Sequence, residues 1–325
     1  MSLPAFQLLR PRTLDEAVAL MTKHEGDVKI VAGGTDLLPS MKQKLFTPAY
    51  VLDLRGVGEL RGIRKTAEHV EIGALTTLNV IEHSALVWKD YRVLYEAVKT
   101  VASPVLRNMG TLGGNICLDT RCLWYNQSLL WRKSCGFCLK KDGDLCHVAP
   151  GGSFCWATFS GDSAPALLCL NAELEIAGPS GVRRTPLSEF YVNDGIVRLH
   201  LASDEIVTRV YLPESSAGWS GSYQKLRVRG SIDYPLAGVA VALKVKSGLV
   251  EDARVAITAV NPAPHIVKDA DAQLIGVEPS EEVADRIGEL AARTAKPLTT
   301  SALTPEYRRE MARIFAKRAV MACVN

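Results

Sequence analysis

Six of the eight cysteines in this 325-residue chain fall within 39 residues, at Cys117, Cys122, Cys135, Cys138, Cys146 and Cys155. Three of the five tryptophans, Trp124, Trp131 and Trp156, lie in or directly beside that stretch. Thiols separated by 3 to 13 residues and rimmed by large apolar rings point to a buried metal or iron–sulfur site. A disulfide-rich loop is the weaker reading, because disulfide frameworks belong to small secreted domains and this chain is long. From spacing alone, a structural zinc site and an iron–sulfur cluster both remain open. His147, beside Cys146, would be a ligand only in the zinc case.

Composition narrows the class. Hydrophobic content of 47% and charged content of 22% describe a soluble globular protein, and the length suggests two to three domains. A net charge of +3 without clustered Lys and Arg excludes a nucleic-acid surface. The opening MSLPAFQLLRPRTLDEA lacks a basic segment followed by an apolar one, and no apolar run approaches a bilayer span. The expectation is a cytoplasmic protein with no membrane partner, in which thiols stay reduced and free to bind metal.

Residues 1–55 read as a compact βαβ-like unit. Thr13 to Glu16 forms a capping box, and Leu14, Ala17, Val18 and Met21 give the following helix one apolar face. Asp27–Ala32 reads as a strand, Gly33-Gly34-Thr35-Asp36 as a turn, Leu37–Gln43 as a short helix and Tyr50–Leu54 as a second strand. A strand ending in two glycines at a helix start offers consecutive backbone N–H groups with no Cβ in the way, a nest suited to pyrophosphate. It is not G-x-G-x-x-G, so a Rossmann dinucleotide site is not indicated. A second glycine-rich block, Arg107 to Ile116, follows a helical run through Tyr91, Leu94, Val98 and Val101 that Ser103-Pro104 is expected to stop. Its Gly110, Gly113 and Gly114 permit close backbone approach, and Thr111 and Asn115 offer hydrogen bonds.

Ala32-Gly33-Gly34-Thr35-Asp36-Leu37-Leu38 and Arg107-Asn108-Met109-Gly110-Thr111-Leu112-Gly113-Gly114-Asn115-Ile116 resemble the two FAD-binding signatures of the molybdenum hydroxylase flavoproteins. That family includes the FAD domain of xanthine dehydrogenase and the medium subunit of aerobic carbon monoxide dehydrogenase. The resemblance continues at Ser160 to Pro165 and at Lys225 and Arg229, and covers nearly the whole chain. It implies that Lys29, Ile30, Val31, Ala32, Gly33, Gly34, Thr35, Asp36 and Leu37 lie along FAD, the turn around its pyrophosphate. Val101, Thr111, Gly114 and Asn115 would also contact the cofactor, Asp162 would bind its adenosine end and Lys225 would reach the flavin.

Between Asn115 and Asp162 stand 46 residues, where typical family members have about ten. Residues 118–157 are therefore an insertion, and the chain resembles those members whose cysteine-bearing insertion holds a [4Fe–4S] cluster. The family's Ser-Pro-Ile is changed here to Thr158-Phe159-Ser160. The resemblance favours Cys122, Cys138, Cys146 and Cys155 as ligands, with Cys135 the near alternative to Cys138. Cys117 belongs to the shared block and would pack in the FAD domain, while Cys169 and Cys323 sit in apolar runs and read as core residues. An aromatic shell of Trp124, Trp131 and Trp156 is expected around the cluster.

Beyond the insertion, strands are expected at Asn171–Ala177, Glu205–Leu212, Gly238–Lys246 and Arg254–Val260, with a linker at 213–220. Two helices follow, from about Ser280 to Thr294 and from Thr304, the second with Tyr307, Met311, Ile314, Phe315 and Ala319 on one face. The fold class is thus α+β: a two-part FAD-binding domain (1–55 and 56–215) carrying the cysteine-rich insertion, then an α+β C-terminal domain (220–325) of β-meander plus helices. No Ser-His-Asp grouping or H-E-x-x-H is readable, so no catalytic side chain is expected and the flavin would carry the chemistry. The resemblance implies a large molybdopterin-containing subunit and a small [2Fe–2S] subunit as partners. With a [4Fe–4S] insertion it also implies ferredoxin as electron donor and reductive removal of the phenolic hydroxyl of 4-hydroxybenzoyl-CoA on the partner. With zinc in the loop, the implied enzyme is an oxidising hydroxylase.

Overall fold

The computed structural model describes residues 2–324, which build three sheets in chain order. The first is parallel: β1 (Gln7–Leu9) and β2 (Val28–Val31) flank β3 (Tyr50–Asp53). The helix Leu14–Lys23 joins β1 to β2 and buries Ala17 and Met21. Its capping box forms with a shift of partner: Thr13 Oγ1 accepts from Glu16 N at 3.2 Å, while the Glu16 carboxylate accepts from Arg12 N at 2.7 Å.

The second sheet has the order β4 (Ile63–Lys65), β5 (His69–Gly73), β8 (Ile206–Pro213), β6 (Glu173–Gly178), β7 (Gly181–Pro186), all antiparallel. The excursion between β5 and β6 holds the second glycine block and the cysteine loop. The helix expected to run to Ser103 spans only Arg92–Val98. Ala102 turns with φ +46°, and Pro104 starts a new short helix instead of ending one, with Ser103 as its cap. The proline's missing N–H costs nothing at a first helical position, which is why the same residue can start a helix.

The third sheet is antiparallel, ordered β12 (His265–Ile266), β11 (Leu249–Thr258), β10 (Ala237–Lys246), β9 (Ser220–Leu226). The turn at Ser247-Gly248, with both residues at positive φ, makes β10 and β11 one hairpin. β11 starts at Leu249, five residues before the expected Arg254, because its first half is an edge-like segment with Glu251 turned outward. The helices Glu281–Thr294 and Pro305–Ala322 pack on one face of this sheet, capped by Ser280 and Thr304. The last helix is rotated from the expected face: Tyr307 is exposed, and Arg308, Ala312, Phe315, Ala316 and Ala319 are buried. The fully buried Arg308 causes this, donating to the carbonyls of Leu236, Ala259 and Leu298 at 2.8, 2.6 and 2.9 Å. Residues 213–220 are no loose linker, since Trp219 is buried in the central core and its indole donates to Ser215 O. No helix among the described residues is long and apolar enough to cross a membrane.

Candidate functional site

The two glycine blocks meet. A Cβ on Gly33 would overlap the Met109 carbonyl, and one on Gly113 would stand 2.8 Å from Ala74 Cβ, so both glycines are fixed by close backbone approach. Gly34 turns with φ +73° and leads into the helix Leu37–Lys42. In the second block, Thr111 Oγ1 caps the helix Leu112–Ile116 by accepting from Gly114 N at 3.1 Å. Asn115 Oδ1 accepts from Ser163 N at 3.1 Å and Ser163 Oγ at 2.6 Å, tying this block to the helix that starts beside Asp162. Two abutting glycine turns, with backbone amides and the hydroxyls of Thr35 and Thr111 and with Asp36 engaged by other side chains, form the kind of donor set that a pyrophosphate requires. The residues present therefore fit FAD.

Asp162 and Lys225 form one buried ion pair at 3.0 Å, each side chain 3% exposed. Asp162 also accepts from Tyr223 OH at 2.8 Å, and Lys225 donates to Thr100 O, next to Val101, at 3.0 Å. Burial pushes the Asp162 carboxyl upward, against the pull of Lys225 and Tyr223. Asp162, expected at the adenosine end of FAD, and Lys225, expected to reach the flavin, thus stand side by side. The changed segment Thr158-Phe159-Ser160 is secured by the C-terminal domain, Phe159 N donating to Asn261 O and Ala259 N to Phe159 O.

Sequence reasoning missed two residues here. Tyr234, in the loop between β9 and β10, donates its hydroxyl to Asp36 at 3.0 Å and accepts from Arg121 at 2.9 Å. Arg121 also pairs with Asp36 and lies over the Tyr234 ring, 4.4 Å from its centroid. The residue just before Cys122 thus grips the first glycine turn. Its position next to a cysteine was the only available signal.

The insertion folds as a loop clasped at its neck, where Arg121 and Thr158 form an antiparallel bridge. Inside it, Cys122, Cys138, Cys146 and Cys155 line one small cavity of about 20 Å³ together with Trp124, Tyr125, Lys140 and His147. Cys135 does not line it: it caps the helix Leu129–Ser134, and the left-handed Gly136 and Phe137 then swing the chain so that Cys138 turns inward. Cys117 packs against the central core, and Cys169 and Cys323 belong to the central and C-terminal cores. Burial pushes the Cys122 thiol up to about 12 and the Cys155 thiol up to about 11, so binding a metal group there displaces protons.

The shell differs from the expected one. Trp124, Tyr125, Val148 and Ala157 line the cavity and Leu45 and Phe46 pack against the same cluster, while Trp131 lies 5.6 Å from Trp124 and Trp156 pairs with Phe154. His147 stacks on Trp124 at 4.4 Å and bonds Phe137 O through Nε2 at 2.6 Å, leaving it turned to the backbone. Among the described residues, no three or more His, Cys, Asp or Glu side chains are drawn together closely enough to surround a single metal ion. Four buried thiols without a carboxylate in the wall nonetheless form a donor set suited to a thiolate-bound metal group. The loop also abuts the segment of the first glycine turn: Phe46 packs both on this cysteine cluster and on the cluster of Val31, Met41 and Val51.

Residues 4–215 match the family described as the FAD binding domain in molybdopterin dehydrogenase, and residues 221–323 match the CO dehydrogenase flavoprotein C-terminal domain. The chain is 30% identical to the carbon monoxide dehydrogenase medium chain of Afipia carboxidovorans over 317 residues, covering 97% of this chain and 96% of that one. It is 29% identical to the nicotine 6-hydroxylase medium subunit of Paenarthrobacter nicotinovorans, covering 99% and 98%. The fold superimposes on reconstituted CO dehydrogenase from Oligotropha carboxidovorans with a TM-score of 0.82 at 28% identity, covering 100% of this chain and 99% of that one. With its paired glycine blocks and two matched domains, the chain belongs to the FAD-binding subunits of the molybdenum hydroxylase family, of the carbon monoxide dehydrogenase medium-chain type.

Proposed function

We propose that this chain is the FAD and [4Fe–4S] electron-transfer subunit of an enzyme of the 4-hydroxybenzoyl-CoA reductase type, with Cys122, Cys138, Cys146 and Cys155 as the cluster ligands. One observation carries the reading: four thiols spread over 34 residues line a single cavity against the segment of the first glycine turn. The bound groups would supply one-electron exchange, from ferredoxin toward a small [2Fe–2S] subunit and a large molybdopterin-containing subunit where 4-hydroxybenzoyl-CoA is dehydroxylated. This chain's own residues bind and shield. The turn at Lys29 to Leu37, with Val101, Thr111, Gly114, Asn115, Asp162 and Lys225, holds FAD. Leu45, Tyr125 and Val148 exclude water from the thiols, and the thiolates carry the metal group.

A second reading has an observation in its favour. The relatives named above are a CO dehydrogenase and a nicotine hydroxylase, which favours an FAD subunit of an oxidising molybdenum hydroxylase; zinc would then stabilise the loop. Zinc, however, draws four thiolate sulfurs to about 2.3 Å from one centre. Among the described residues no three of these thiols are drawn around one point, so the choice between zinc and cluster is one of composition. Iron, sulfide and zinc analysis of anaerobically purified protein tests it: zinc without sulfide moves the assignment to the hydroxylase.

A further inference from the structure

The four-cysteine cavity has a charged wall that thiol ligation does not explain. Lys140 comes from the loop and lines the cavity with the cysteines, and its side chain is only 6% exposed. Its ammonium donates to Asp119 Oδ1 at 2.8 Å, to Thr120 Oγ1 at 2.5 Å and to Gly195 O at 2.5 Å. Gly195 also touches the thiols: a Cβ on it would stand 2.7 Å from Cys155 Sγ, and its N–H donates to Cys155 O at 2.8 Å. One glycine therefore separates the ammonium from a thiol sulfur.

Asp119 is the carboxylate that faces that ammonium. It accepts from Tyr125 OH at 2.9 Å and faces Arg198 at 3.4 Å, while Lys140 stands 4.7 Å from the Tyr125 ring centroid. Burial raises the Asp119 carboxyl, but Lys140 and Arg198 outweigh it and hold the group below the usual carboxylate range. It is a carboxylate beside a buried ammonium. Anchoring a loop needs only a neutral donor, and burying a charge is costly, so a full cation in this wall, paired with a full anion outside it, calls for another consequence.

Reduction adds a negative charge to a thiolate-bound cluster, and a low-dielectric surrounding magnifies the effect of any fixed charge on that step. We propose that Lys140 and Asp119 set the reduction potential of the metal group held by the four cysteines, Lys140 raising it and Asp119 opposing that rise. This rests on the [4Fe–4S] assignment above. Neither residue is a ligand; they act through the field across the Gly195 wall.

The test uses the full chain, purified anaerobically with its flavin and metal. Cluster and flavin midpoints are measured in one redox titration, by electron paramagnetic resonance and absorbance. Lys140→Gln shifts the cluster midpoint to more negative values and Asp119→Asn shifts it to more positive ones, with the flavin moving less in both. Lys140→Arg, which keeps the charge, stays near the unmodified value. A merely anchoring role lowers iron content in both variants and moves the midpoints together or not at all; that result overturns the inference while the cluster assignment stands. If Lys140→Gln retains no iron, the sign of the Asp119→Asn shift decides alone. Zinc in place of iron in the unmodified chain overturns the assignment and the inference together.

Discussion

Arg121 and Thr158 exchange both of their backbone hydrogen bonds, Arg121 N to Thr158 O at 2.7 Å and Thr158 N to Arg121 O at 2.8 Å. This two-residue clasp closes the neck of the cysteine loop, so the FAD-binding domain is continuous beneath it. Replacing residues 122–157 with a short Gly-containing turn is expected to leave a folded protein that retains FAD and loses its metal. Flavin absorbance and metal analysis of the purified variant check this, and loss of flavin along with the loop contradicts it.

Gly33 and Gly34 sit in the same turn for different reasons. Gly33 has no room for a Cβ against the Met109 backbone, whereas Gly34 has a positive φ and a Cβ there would press on the Leu38 side chain at 3.2 Å. Gly33→Ala is therefore expected to lower stability of the whole domain, read as a fall in Tm. Gly34→Val distorts the turn, at about 1–2 kcal/mol for the left-handed backbone alone, and is expected to lose FAD while the loop's metal stays. Full flavin occupancy in Gly34→Val would remove this turn from the cofactor site.

The buried pair of Asp162 and Lys225 predicts an asymmetry between single and double variants. Lys225→Met strands a carboxylate in the interior, and breaking a buried pair this way costs about 3–5 kcal/mol. Asp162→Leu combined with Lys225→Met leaves no stranded charge and is expected to recover much of that loss. Denaturant unfolding of the three proteins measures it, and additive losses in the double variant contradict it.

Cysteine replacements separate ligands from bystanders. Cys146→Ser is expected to lower metal content, keep FAD and slow flavin reduction by a low-potential donor. Cys135→Ser is expected to be far milder, since its thiol lies outside the cavity. Cys169→Ser, buried in the central core, is expected to affect packing alone. Equal metal loss from Cys135→Ser and Cys146→Ser, measured per flavin, would break the distinction.

Local chemistry was legible and convergence was not. Thr13, Ser280 and Thr304 announce their helices because a cap and its partner lie within four residues. The Ser247-Gly248 turn announces its hairpin in the same way. Pro104 was misread because the same ring that ends one helix fits the first turn of the next. The face of the last helix was misread because Arg308 is buried for the sake of three carbonyls far away in sequence. Within the site, the glycine blocks carry their own signature. The grip of Arg121 on Asp36 and the approach of Lys140 to Asp119 and Gly195 join segments 21 to 85 residues apart, beyond the reach of any spacing rule.

The most direct test of the account is the metal and sulfide content of the unmodified protein, purified without oxygen and normalised to flavin. The cluster assignment predicts roughly four iron and four acid-labile sulfide per FAD, with no stoichiometric zinc. One zinc per FAD, without sulfide, would contradict it.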